Sequence, residues 1–240
     1  LGSGTGLSTG KENVIIGSVA GQSLTTANNT VVIGRNAGGA NNHTIIAIGN
    51  ASYAGSDADV AIGGTARTGT GNNNVALGSQ ASISATTAGS TVAIGANSLW
   101  GLTTGTENVA VGTGAGYSNR VSSGSVFVGS YSAVQLTNGS YNTFIGYRSG
   151  TSTALDHSVT NSIAIGANVS PPASNTAQIG TNGVSVLYLN GTVGWFRGTG
   201  SPESSVAAPV GSFYSREDGG AGTSFYVKES GTGNTGWVAK

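Results

Sequence analysis

Residues capable of chemistry are few in this chain of 240 residues, which contains nine acidic side chains, nine basic ones, two His and no Cys. Asp57 and Asp59 are one candidate pair, since Ca²⁺ binds carboxylate oxygens. Two acids without a glycine-anchored loop favour a solvated turn over a calcium site. Glycosidases need paired carboxylates in a groove, and acids this sparse disfavour polysaccharide cleavage. We therefore predict no catalytic residue, no metal and no cofactor.

A glycine motif near the end of the chain suggests nucleotide binding but lacks the required context. Gly231, Gly233 and Gly236 have the spacing of a dinucleotide fingerprint. That motif needs a βαβ unit and a later acidic residue, and no acidic residue follows Gly236. The low, balanced charge gives no electrostatic footprint for nucleic acid. Since no apolar run approaches the roughly 18 residues of a spanning helix, we also predict no membrane insertion.

The element that positions every candidate residue is a short unit of the type Val-Ala-Ile-Gly, which recurs eleven times between residues 13 and 180. Consecutive glycines of these units are 14 to 20 residues apart. Regularly spaced β-branched residues exclude disorder, and such a period indicates a solenoid. Each coil has room for two short strands and two turns. The sequence therefore predicts an all-β, flattened parallel β-roll of about eleven coils, roughly 50 Å long at the strand spacing.

Alternation within each unit predicts two faces. The flanking Val and Ile are expected to fill the roll, and the Gly to turn a corner with positive φ or close backbone approach. The middle residues then face the other way, and ten of the eleven are apolar, unlike a water-facing side. We therefore predict a homotrimer whose shared axis is lined by Ile15, Val32, Ala47, Ala61, Ala76, Ala93, Ala110, Phe127, Phe144, Ala164 and Gln178.

Three positions in this predicted axis stand out. Phe127 and Phe144 should add bulk, and Gln178 is either a polar layer that binds water or an ion, or part of a frayed last coil. Small polar residues, commonly Asn, precede the strands and suit side-chain-to-backbone turn bonds.

Aromatic residues close to the corner glycines are candidates for ligand contact. They are Tyr53, Trp100, Tyr117, Tyr131 and Tyr147. Stacked coils should place several of them in a column on an outer face, where rings can contact sugar rings. The same column can equally cover a second sheet of the roll, so glycan contact and packing are alternatives.

The composition changes near the end of the roll. Val184 to Leu189 is the strongest continuous strand pattern, and Val210 to Ser215 and Thr223 to Lys228 read as a hairpin around a Gly-rich turn. Trp237 to Ala239 can add a third strand. The predicted segments are an irregular lead-in (1–12), the roll (13–180), a neck strand (181–197) and a small antiparallel β module (198–240).

The repeated Asn-Val-Ala-(Ile/Val)-Gly units resemble the left-handed parallel β-roll of trimeric autotransporter adhesin heads, although steps of 17 residues are longer than that family's usual repeat. Segments such as Asn142 to Tyr147 look more like phage tail fibre proteins. The tail from Gly200 to Lys240 is similar to a module that ends many phage fibres. This resemblance implies a left-handed homotrimer and brings no catalytic residues.

Together, repeat and resemblance imply a non-enzymatic, structural and host-binding segment of a phage tail fibre, located in the virion and extracellular. Its expected partners are further copies of itself, other fibre or baseplate proteins, and a glycan or protein receptor on a bacterial surface. The head of a bacterial trimeric adhesin is the alternative, and a polysaccharide-degrading tailspike is a third. A chain that lacks Met and opens on Leu1 is expected to be a piece of a longer protein.

Overall fold

The computed structural model of the chain describes residues 2–41, 44–82, 86–151, 157–181, 186–189 and 193–240. The chain divides into two compact units, Leu1–Thr181 and Asn182–Lys240. Strands and turns account for the regular structure of the described residues. Among those residues no helix is long and apolar enough to cross a membrane.

The first unit is a parallel β-solenoid of about eleven turns, as predicted. Eleven of its strands stack in chain order in one parallel sheet, whereas β3 and β5 form a separate parallel pair. The predicted second strand of a coil is therefore found in two of the described coils, and turns take its place elsewhere. The strands are β1 Val14–Ile16, β2 Val31–Ile33, β3 Gly38–Gly39, β4 Ile46–Ile48, β5 Tyr53–Ala54, β6 Val60–Ile62, β7 Val75–Leu77, β8 Val92–Ile94, β9 Val109–Val111, β10 Val126–Val128, β11 Thr143–Ile145, β12 Ile163–Ile165 and β13 Ala177–Ile179.

The glycine after each triplet turns the corner for the two reasons predicted from the sequence. At Gly95 the backbone has φ 125°, in a region that side chains disfavour. A Cβ added there would lie 2.6 Å from the carbonyl carbon of Gly112 in the next coil. Since consecutive corners stack this closely, only glycine fits them without displacing the neighbouring coil.

The middle residues of the triplets point into the core of the roll, where they pack with buried arm residues such as Leu24, Leu99 and Leu102, so the predicted assignment of the two faces was wrong. A side chain that is fully enclosed within one chain cannot line an axis between chains. Alternation separates the faces without saying which one encloses the core, and the inner side of a thin coil accepts Ala more readily than Val or Ile. The middle residues with no exposed surface are Val32, Ala47, Ala61, Ala76, Ala93, Ala110, Phe127, Phe144 and Ala164.

The terminal middle residues, Ile15 and Gln178, are partly buried. The Gln178 amide donates to the carbonyl of Gly180 at 3.3 Å, so this side chain bonds to its own coil.

Two glycines make room for the largest interior side chains. The rings of Phe127 and Phe144 pack at 5.9 Å between centroids. A Cβ on Gly116 would lie 3.0 Å from the Phe127 ring, and one on Gly150 would lie 2.2 Å from the Phe144 ring. The extra bulk expected at these positions therefore lies inside the roll.

The lead-in is more regular than predicted. The amide of Gly4 donates to the carbonyl of Ala20 at 2.8 Å, and that of Ser8 to the carbonyl of Thr25 at 2.9 Å. These bonds have the spacing found between later coils. The described lead-in residues therefore stack on the turn-rich arm of the first coil.

The second unit is a small mixed sheet. Strands β15 to β18 form it, with β15 and β16 parallel and the other neighbours antiparallel, and β14 pairs antiparallel with β15. The predicted hairpin and third strand are confirmed, but the neck segment joins the same sheet and makes it mixed. Residues 182–185 and 190–192 of the predicted neck strand (181–197) lie outside the described residues. The strands are β14 Val186–Leu189, β15 Val193–Gly198, β16 Phe213–Arg216, β17 Phe225–Lys228 and β18 Trp237–Ala239.

Candidate interaction face

The flanking residues of the eleven triplets point outward and form what we call the outer strand face. Strand pairing places them in two columns along the roll, and 20 of the 22 are Val, Ile or Leu. The first column is Val14, Val31, Ile46, Val60, Val75, Val92, Val109, Val126, Thr143, Ile163 and Ala177. The second column is Ile16, Ile33, Ile48, Ile62, Leu77, Ile94, Val111, Val128, Ile145, Ile165 and Ile179.

The outer strand face is large and uncharged. Ile16 is 58 % exposed and Ile179 is 50 % exposed at the two ends, and Ile62 and Ile145 are exposed between them. None of the 22 positions carries a charge. Twenty aliphatic side chains that are at least partly exposed therefore lie side by side in one uncharged face. A contiguous exposed apolar face of this kind marks an interaction surface.

A buried row of polar side chains, which we call the polar ladder, supports this face from inside. Its members precede the triplets. The Asn108 Oδ1 accepts the amide of Ser125 in the next coil at 3.1 Å, and its Nδ2 donates to the Ser122 carbonyl at 2.6 Å. The local turn bonds predicted from the sequence are present in some coils, since the Asn142 Nδ2 donates to the carbonyl of Gly139 at 3.2 Å. The bonds between coils were not predicted. Asn13, Asn74 and Asn142 repeat the pattern with Thr30, Thr91 and Ser162.

Asp59 is the member of the polar ladder that precedes β6, where some other coils have Asn. Its carboxylate is fully buried and accepts the Ser56 amide at 2.9 Å, the Thr68 hydroxyl at 2.6 Å and the Asn74 amide at 2.8 Å. Asp57 is exposed, so the two carboxylates do not converge on a common site. Both predicted alternatives for Asp59, a calcium site and a solvated turn, are therefore wrong, because its carboxylate is buried and bonded to neighbouring residues. Nowhere in the described ranges do three potential metal ligands cluster.

Replacing Asp59 should change how stability depends on pH. Burial raises the pKa of the Asp59 carboxyl above its usual 3.8, against the opposing effect of its hydrogen bonds, led by that from Thr68. A raised folded-state pKa gives stability that is present at low pH and is lost as pH rises through that pKa. We therefore expect the free energy of unfolding of the wild type, relative to that of Asp59→Asn, to fall as the pH rises from 3.8 through the raised pKa of Asp59. Urea unfolding at stepped pH measures both proteins.

Four other coils have Asn at this position, at residues 13, 74, 108 and 142, so the Asp59→Asn variant should fold. Asp57→Asn is the control, because Asp57 is exposed. The free energy of unfolding of this variant should not diverge from that of the wild type over the same pH range. A constant difference between the wild type and Asp59→Asn from pH 4 to pH 8 would contradict the prediction.

The structure brings together only two of the five predicted aromatic contacts. The rings of Trp100 and Tyr117 stack at 5.1 Å and 6° in successive coils. The guanidinium of Arg67 lies over the Tyr53 ring at 5.2 Å. Tyr131 and Tyr147 lie apart from these pairs, in the corner segments after Gly129 and Gly146, and both are exposed. Because the rings of Trp100 and Tyr117 cover each other, glycan contact there remains a prediction with a smaller available surface than the sequence suggested.

The glycine motif of the second unit is folded around its own side chains. The amides of Gly236 and Trp237 donate to the Glu203 carboxylate at 2.9 and 2.8 Å. The Lys228 Nζ, which is fully buried, donates to the carbonyls of Gly233, at 2.8 Å, and Thr235. The Glu203 carboxylate therefore already occupies the place that a phosphate would take at the Gly236 and Trp237 amides.

The burial of Lys228 and the bonds that the polar ladder makes between coils were missed from the sequence. For Lys228 a signal exists, since the alternating strand Phe225–Lys228 places it on the same side as Tyr226, which belongs to the core of the second unit. For the polar ladder the signal is the spacing of 34 residues between Asn74, Asn108 and Asn142. That spacing is two coils.

Comparisons with known proteins identify no relative: no family model, curated protein or solved structure matches this chain.

Proposed function

We propose that the chain is a non-enzymatic segment of a homotrimeric fibre, built from left-handed rolls, that attaches a phage or phage-like particle to a bacterial surface. The outer strand face is the observation that carries this proposal. It is apolar, uncharged and extends along all eleven stacked strands. A surface of that kind favours burial in a permanent assembly.

A further copy of the chain is the partner that fits this face best. The two columns repeat once per coil, at about 4.8 Å per strand, and another copy has the same repeat in the same order. Each strand has three residues and is about 10 Å long, and this length is the width of the outer strand face. Three faces of this width enclose little more than their own side chains, whereas a larger ring would leave an open channel.

The attachment role is supported by the resemblance of the roll and of the tail to phage fibre proteins. The expected partners are other fibre or baseplate proteins and a glycan or protein receptor on the bacterial surface. Trp100, Tyr117 and Tyr131 offer aromatic surface for such a receptor. The particle and the extracellular medium are the corresponding locations.

Adjacent substitutions separate assembly from folding. Ile94→Asp places a charge on the outer strand face, so we expect a folded monomer in place of a trimer. Ala93→Asp places the charge in the fully enclosed interior, where an unpaired charge is strongly unfavourable, so we expect loss of the fold. Light scattering gives the mass of each variant, and far-UV circular dichroism gives its strand content.

A monodisperse monomer for the unmodified chain would overturn the self-association proposal. Assembly of Ile94→Asp with an unchanged mass would show that another surface is responsible. Attachment is measured separately, by saturable binding of the fluorescently labelled chain to bacterial cells, and absence of such binding on any strain of a broad panel contradicts that part.

A further inference from the structure

The coil of β11 carries an exposed tyrosine at each edge of the outer strand face. Tyr141 lies two residues before the triplet and is 66 % exposed, and Tyr147 follows the corner Gly146 and is 50 % exposed. The Tyr141 ring lies over Gly124 of the preceding coil, where an added Cβ would come within 2.9 Å of it. In the other ten coils, neither of these edge positions is aromatic.

The backbone of Tyr141 has the conformation that recurs at this position in every coil. Its φ is 62°, and Thr44 with φ 61° and Glu107 with φ 59° stand at the same position of other coils. The left-handed conformation therefore belongs to the repeat and does not distinguish Tyr141. The aromatic ring does distinguish it, because the corresponding residue of the other ten coils is not aromatic. The ring is thus the feature whose role has to be explained.

The role follows from how copies of the roll meet. If a rotation axis runs along the roll, the leading edge of one outer strand face meets the trailing edge of its neighbour at the same height. Tyr141 of one copy then faces Tyr147 of the next. We propose that these two rings pack on each other between copies and lock the copies in register; the inference rests on the proposed self-association.

The other edge positions are compatible with this arrangement. Each coil contributes one leading and one trailing residue, and no such pair brings two like charges together. The pairs are Glu12 with Ser18, Asn29 with Arg35, Thr44 with Asn50, Ala58 with Gly64, Asn73 with Ser79, Ser90 with Ala96, Glu107 with Thr113, Gly124 with Ser130, Asn161 with Ala167 and Asn175 with Thr181. An antiparallel arrangement of copies would instead place the two tyrosines at different heights.

Cysteine cross-linking tests the contact, because the chain has no Cys of its own. Within one chain, six residues separate the two positions, on the order of 15–20 Å at about 3.3 Å per residue. A disulfide requires Cα atoms within about 7 Å. Any disulfide in the double variant Tyr141→Cys/Tyr147→Cys must therefore join two copies. After mild oxidation we expect covalently closed trimers on a non-reducing gel.

Each single variant should remain uncross-linked. A co-assembled mixture of the two should give covalent dimers that neither gives alone, and no covalent trimers, because each copy then has only one Cys. The control pair is Tyr147→Cys/Thr104→Cys, in which Thr104 lies exposed on the arm of another coil; it should give no cross-link. Light scattering of the reduced variants shows whether they still assemble. Assembled double variant without any disulfide would overturn the register contact and leave the proposed trimer intact, whereas a monomer of the unmodified chain overturns both.

Discussion

Gly63→Ala is expected to lower the free energy of unfolding of the roll by roughly 3–5 kcal/mol, combining backbone strain with overpacking. The backbone at Gly63 has φ 138°, and a Cβ there would lie 2.4 Å from the carbonyl oxygen of Gly78 in the next coil. Neither backbone can move away without breaking the stacked hydrogen bonds of the sheet. Urea unfolding followed by circular dichroism at equal protein concentration measures the effect.

The neighbouring glycine provides a matched control. At Gly64 no atom lies within 4 Å of an added Cβ, and φ is outside the left-handed region. Gly64→Ala should therefore leave stability within about 0.5 kcal/mol, as at an ordinary surface position. Equal unfolding midpoints for Gly63→Ala and the wild type would show that the corner tolerates a side chain, contrary to the stacked geometry.

Asn108→Ala is expected to destabilise the roll by about 2–4 kcal/mol, because a buried group left without its hydrogen bond costs roughly 1–3 kcal/mol. The substitution removes the acceptor of the Ser125 amide and the donor to the Ser122 carbonyl. It also leaves a small cavity, since Asn108 is fully buried. Urea unfolding under the conditions used for Gly63→Ala allows a direct comparison.

Asn50→Ala serves as the control for this substitution. Asn50 is exposed in a corner segment, so its replacement should change the free energy of unfolding by less than about 0.5 kcal/mol. If Asn108→Ala were no more disruptive than Asn50→Ala, the polar ladder would contribute nothing beyond the backbone bonds of the sheet.

The bounds of the eleven stacked strands were predictable from sequence to the residue. All eleven predicted triplets are strands of the parallel sheet with the expected bounds, from Val14–Ile16 to Ala177–Ile179. Two local signals suffice for this result. β-branched residues favour strands, and glycine permits a conformation that ends them.

The direction of the side chains was not predictable in the same way. In Val92–Ile94 the small Ala93 lies inside and the two large side chains lie outside, which reverses the usual association of bulk with the core. Which side chains point inward depends on the thickness of the coil. That thickness is set by contacts between segments that are far apart in sequence. Gly116 and Gly150 illustrate this dependence, because the rings of Phe127 and Phe144 occupy space that a Cβ on either glycine would need.

The outer strand face could be identified only when the directions of the side chains were known. The bonds of the polar ladder could be identified only when the register of the stacked coils was known. Asn108 and Ser125 are 17 residues apart, and nothing local to either indicates that they bond. Only when the triplets are laid over one another do the residues before them form a row.

The polar ladder also gives the roll a unit of growth. From Asn74 to Ser162, Asn alternates with Ser or Thr from coil to coil, so that the pattern repeats every second coil. Gain or loss of two adjacent coils keeps each Asn beneath a Ser or Thr, whereas a change of one coil places two residues of the same kind in succession. Duplication and deletion during evolution should therefore alter the length of this roll in steps of about 10 Å, twice the strand spacing.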